Sequence, residues 1–94
     1  MYTRVVRFTD VTAERLESVR SRIESSGGPP EGVRSTGIKL LFDEASRTAV
    51  VLQDFASAED MEAGGRVFAA MDAGETPGTR ASVDACEVKL SLSA

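Results

Sequence analysis

From Tyr2 to Thr9 the side chains alternate, with Tyr2, Val6 and Phe8 on one parity and Thr3, Val5 and Arg7 on the other, the period-2 pattern of a strand that buries mainly one face. The period then lengthens. Asp10 or Thr12 offers an oxygen to the free amides of a first helical turn, and Leu16, Val19 and Ile23 follow at helical spacing. This helix is expected to reach about Ser26, where Gly27 and Gly28 open a loop, Ser25–Gly32, rich in glycine and proline. Val33–Asp43 and Arg47–Phe55 are apolar, β-branched or aromatic stretches with only Glu44-Ala45-Ser46 between them, so they are expected to pair as a hairpin. Ser57-Ala58-Glu59-Asp60 is a variant capping box with acids in the positive first turn. It starts a second helix whose inner stripe is Met61, Gly64 or Gly65, Phe68 and Met71, with Gly74 as its left-handed exit. Glycines inside a helix cost about 1 kcal/mol each against alanine, so Gly64-Gly65 implies a close approach to a neighbour. A last strand, Thr79–Leu92, sets Ala85, Glu87 and Lys89 against Cys86, Val88, Leu90 and Leu92.

The order β α β β α β predicts an α+β ferredoxin-like plait. In it a four-stranded antiparallel sheet, in spatial order 4-1-3-2, carries both helices on one face. The whole chain, residues 1–94, reads as a single domain. Parity assigns Val6, Phe8, Ile38, Leu40, Phe42, Val50, Leu52, Cys86, Val88 and Leu90 to the helix-covered face. The other face then collects Val5, Arg7, Lys39, Leu41, Val51, Gln53, Phe55 and Glu87. That second set mixes apolar and charged residues, with Arg7, Gln53 and Glu87 on the three central strands. Such a face is expected to be shared with a second copy, with Val5, Arg7, Lys39, Leu41, Val51, Gln53 and Glu87 at the contact.

Charge and composition narrow the partners. Eleven basic against fifteen acidic residues give −4, a field that disfavours nucleic acid and anionic membranes. There is no His, Trp or Asn, and Cys86 is the single cysteine, so internal disulfides, Cys/His metal sites and His-based triads are excluded; no metal is expected. The longest apolar runs, such as Ala49-Val50-Val51-Leu52, fall far short of the roughly 20 residues of a spanning helix. The opening Met1–Arg7 interleaves charges where an export signal would be apolar, and the expected location is cytoplasmic.

The stretch Val50-Val51-Leu52-Gln53-Asp54-Phe55-Ala56-Ser57-Ala58-Glu59-Asp60, followed by Phe68 and Met71, resembles the third strand and second helix of the dimeric α/β-barrel superfamily, with its aromatic-x-Ser-x-Glu signature. That superfamily includes antibiotic-biosynthesis-monooxygenase-like, haem-degrading and stress-responsive barrel proteins. The resemblance implies a homodimer formed by pressing two sheets into one barrel. The family's cofactor-free monooxygenases rely on Asn, Trp and Arg, and its haem-degrading members on Asn, Trp and a His ligand. This chain has none of Asn, Trp or His, and Phe55 stands where many relatives carry Trp. No cofactor is therefore expected. Two functions stay open. One is a homodimer that binds a small apolar or aromatic molecule, or is structural, without the family's usual catalytic residues. The other is a cofactor-independent monooxygenase or isomerase acting on an aromatic, polyketide-like substrate, with Tyr2, Arg7 and Gln53 as candidate catalytic groups. In either case the expected pocket lies between the second helix and the sheet, lined by Phe55, Met61, Phe68 and Met71.

Overall fold

The computed structural model describes residues 1–70 and 76–93. The elements are β1 (Tyr2–Thr9), α1 (Ala13–Ser25), β2 (Ser35–Asp43), β3 (Thr48–Phe55), α2 (Ala58–Ala69) and β4 (Thr79–Glu87). They form an α+β fold with one antiparallel sheet of four strands in the order β2-β3-β1-β4, the same succession of neighbours as 4-1-3-2 read from the opposite edge. Among the described residues no helix is long and apolar enough to cross a membrane. Met71 and Gly74 lie outside the described residues.

Local chemistry sets the boundaries. Thr12, not Asp10, caps α1, its hydroxyl accepting from the Arg15 amide at 3.2 Å, while Asp10 turns the chain with a φ of 56°. Ser57 caps α2 in the same way, accepting from the Asp60 amide at 3.1 Å, with Glu59 and Asp60 in the positive first turn. On the outer surface of α1, Arg20 bonds Glu17 and Glu24, a solvated network of i,i+3 and i,i+4 pairs. The last strand is shorter than the alternation suggests. Its ladder stops at Glu87, opposite Tyr2, because β1 begins there. Beyond it only the Val88 amide reaches back, to the Met1 carbonyl at 2.9 Å, and Leu90 and Leu92 are exposed.

Cross-strand register decides which residues share a face, since directly opposed residues project to the same side. Val6 opposes Val51, Arg4 opposes Gln53, Phe8 opposes Ala49 and Tyr2 opposes Phe55. All the β3 members of these pairs are buried, so Val51, Gln53 and Phe55 lie under the helices, contrary to the parity expected from sequence. The reason is physical: Ala49–Leu52 is apolar on both parities, and alternation cannot choose between them. β4 is inverted as well. Val83 opposes Val6 and Glu87 opposes Tyr2, which places Glu87 on the helix side, whereas Cys86 opposes Thr3 on the other face and is exposed. The expectation of a shared face built on Val51, Gln53 and Glu87 is thereby corrected. Val5, Arg7, Lys39 and Leu41 do lie on the open face, and their apolar companions are Val50 and Leu52.

The covered face has two cores. One gathers Val6, Phe8, Val11, Ala49 and Val51, with Leu16, Leu40 and Phe42 against it. The other gathers Val33, Phe55 and Met61, with Tyr2, Val67 and Phe68 against it. α2 presses on the second core at Gly64, where a methyl group would come within 2.8 Å of the Phe55 ring. α1 stands farther from the sheet, and Val19 is its buried residue.

Candidate functional site

Down the central β1/β3 ladder the covered face reads as a series of rungs: Phe8 with Ala49, Val6 with Val51, Arg4 with Gln53, Tyr2 with Phe55. Three rungs are apolar or amphipathic and one is not. Arg4 is 6% exposed and Gln53 4%, and the Arg4 Nη1 donates to Gln53 Oε1 at 3.0 Å. The guanidinium also faces the Phe68 ring, with Cζ 5.5 Å from the ring centroid, a cation–π arrangement. Phe68 holds a second cation through its carbonyl, which accepts from Arg80 Nη2 at 3.2 Å. A methyl group at Gly65 would sit 3.5 Å from Arg4 Nε, so the bare helix backbone passes close over the buried arginine.

No carboxylate among the described residues pairs with Arg4. Its electrostatic surroundings are burial, which pulls its pKa below the ordinary arginine value, and the like charge of Arg80, which acts in the same direction. A guanidinium carries five N–H donors, and Gln53 occupies one of them. Among the described residues no buried side-chain nitrogen or oxygen lacks a partner, so the unused donors are those that reach open space. That space is a cleft of about 550 Å³ between α1 and the sheet. Val6, Val19, Ile23, Ile38, Val51 and Phe68 give it apolar walls, Arg4 and Gln53 are set in its floor, and Arg22 and Arg80 also line it. Among the described residues no Asp or Glu lines it. Its volume is that of a small-molecule site, which commonly spans roughly 300–1,000 Å³.

The site expected from sequence is only partly there. Phe55 and Met61 are core, 0% and 7% exposed, where Gly64 brings α2 close onto the Phe55 ring; Phe68 alone of the described members lines the cleft. Of the catalytic candidates, Gln53 lies in the cleft, Tyr2 packs half-buried against the Phe55 core, and Arg7 is exposed on the open face. Arg7, Gln53 and Glu87 are not brought together, since Arg7 projects to the opposite side from the other two. Glu87 instead accepts from Lys89 Nζ at 3.0 Å, in solvent, and Asp54 on the open face accepts from the Thr3 hydroxyl at 2.8 Å. Arg4 is the residue that sequence reasoning passed over. Its signal was its parity, since it shares the register of Tyr2, Val6 and Phe8, a charge on the strand's most apolar side. Among the described residues no cluster of His, Cys, Asp and Glu could hold a metal ion. Compared with protein-family models, curated proteins and solved structures, the chain matches none.

Proposed function

We propose that this protein binds a small apolar or aromatic molecule in the cleft between α1 and the sheet, as a homodimeric subunit of the dimeric α/β-barrel kind that Phe55–Glu59 resembles. The observation that carries the reading is the half-walled cleft of about 550 Å³ whose apolar walls stand over the buried polar rung Arg4 with Gln53. The neutral dye 6-propionyl-2-dimethylaminonaphthalene tests it. Its emission is expected to shift to the blue and rise on titration with the protein, and Ile38→Trp, which fills the cleft from a partly exposed position (44% exposed), is expected to abolish the change while the circular dichroism stays native. An unchanged spectrum with the wild-type protein defeats the reading.

The dimer rests on the open face, where Val5, Leu41, Val50 and Leu52 form an apolar strip with no helix over it. Leu41 is 46% exposed, so Leu41→Glu leaves the fold alone and is expected to turn a dimer into a monomer in sedimentation velocity. A monomeric wild type, or a variant that stays dimeric, overturns the sheet-to-sheet pairing.

One observation favours a second reading, an isomerase or cofactor-independent monooxygenase acting on an aromatic, polyketide-like substrate. Arg4 and Gln53 place N–H donors at an apolar wall, the arrangement that stabilises an oxyanion developing on a bound ring system. Tyr2 and Arg7 are outside that wall, so any such chemistry belongs to Arg4 and Gln53.

A further inference from the structure

We infer that the ligand of this cleft is an organic monoanion, an apolar ring-sized body bearing one carboxylate or similarly delocalised oxyanion, with the anion seated on Arg4 and Gln53. The inference rests on the small-molecule reading above and adds the chemical class. A guanidinium taken out of water without a counter-charge is costly, and natural proteins pair such groups or leave them to meet a ligand. Arg4 has no acidic partner among the described residues, and its one side-chain hydrogen bond is to a neutral amide. That bond uses the Gln53 oxygen as acceptor, which leaves the amide N–H₂ as a donor beside the guanidinium. Both residues line the cleft, so the floor presents donors and, among the described residues, no acidic acceptor.

The walls and the second cation fix the rest of the ligand. The planar guanidinium fork matches the two oxygens of a carboxylate. Arg80, held at the Phe68 carbonyl, and Arg22 add positive potential in the same cleft, which draws an anion toward it. The apolar walls beside the fork, Val6, Val19, Ile23, Val51 and Phe68, suit a hydrocarbon or aromatic body. A phosphate dianion would bring more oxygens than one fork and one amide satisfy in the buried floor.

The test compares 2-naphthoate with 2-naphthamide, two probes of nearly equal shape and different charge, by isothermal titration and by ¹⁵N-resolved spectra of the Gln53 amide and the arginine Nε groups. The wild-type protein is expected to bind 2-naphthoate at least about tenfold more tightly than 2-naphthamide, with the Arg4 Nε and Gln53 Nε2 resonances moving together. Arg4→Gln is expected to bring the two affinities level. Equal affinities for the wild type overturn the anion assignment and leave the cleft as a site for neutral molecules. Binding of neither probe, with the neutral dye also excluded, removes the cleft itself. If Arg4→Gln does not fold, Arg80→Gln serves, since that residue is exposed; it is expected to reduce the preference for naphthoate in part, and an undiminished preference removes Arg80 from the inference.

Discussion

Replacing Gly64 by alanine is expected to destabilise the protein by about 1–3 kcal/mol, the reverse of what the same change does on an open helix, where it gains about 1 kcal/mol. Both helix glycines pay that propensity cost, yet their surroundings differ. A methyl group at Gly64 would lie 2.8 and 2.9 Å from the Phe55 ring carbons Cε1 and Cζ, and Phe55 is fully buried between β3 and α2. The ring has no solvent side toward which to turn. A methyl group at Gly65 would meet Arg4 Nε at 3.5 Å and Cδ at 3.9 Å, ordinary contacts, so Gly65→Ala is expected to be neutral or stabilising by up to about 1 kcal/mol. Urea unfolding of the two single variants reads the opposite signs directly. Phe55→Leu in the Gly64→Ala background is expected to recover part of the loss, because the two residues share one contact and their effects do not add. Equal and favourable shifts for both glycines would mean that α2 does not sit against Phe55 as described.

The same two positions show where sequence is informative. Gly64-Gly65 announces a close helix–sheet approach before any coordinates, since nothing else offsets the cost of adjacent glycines in a helix. The strands, helices and their order follow from alternation, helical spacing and the Thr12 and Ser57 caps. Which way β3 faces does not follow, because Ala49-Val50-Val51-Leu52 is apolar on both sides and the register against β1 makes the choice. The position of the cleft was hidden for a related reason. It exists because α2 is drawn in at its glycines while α1 stands off with a thin inner stripe, Leu16, Val19 and Ile23. That is a difference between two helix–sheet distances, and neither helix pattern contains it. Arg4 was legible in principle: it interrupts Tyr2, Val6 and Phe8 on their own parity, as Gln53 interrupts Ala49, Val51 and Phe55. Each interruption alone looks like a strand tolerating a polar residue. Only their pairing across the ladder shows a polar rung placed inside an apolar face.

That rung also predicts a conflict between stability and binding. Arg4→Met with Gln53→Leu together is expected to stabilise the ligand-free protein by about 1–4 kcal/mol, the range found when buried charged groups are replaced by apolar ones of similar size. Arg4→Met alone is expected to fall below the double variant, because it leaves the Gln53 oxygen buried without its donor, at a cost of about 1–3 kcal/mol. Thermal and urea unfolding give the ordering. In the same double variant the preference for naphthoate over naphthamide is expected to vanish while the neutral dye still binds. A fold retains a buried cation at the expense of its own stability when that cation meets something the chain does not supply. The opposite outcome, a double variant less stable than the wild type by more than about 1 kcal/mol, would make Arg4 and Gln53 a structural bridge between the two cores. The cleft would then be an apolar site whose floor is held by that bridge.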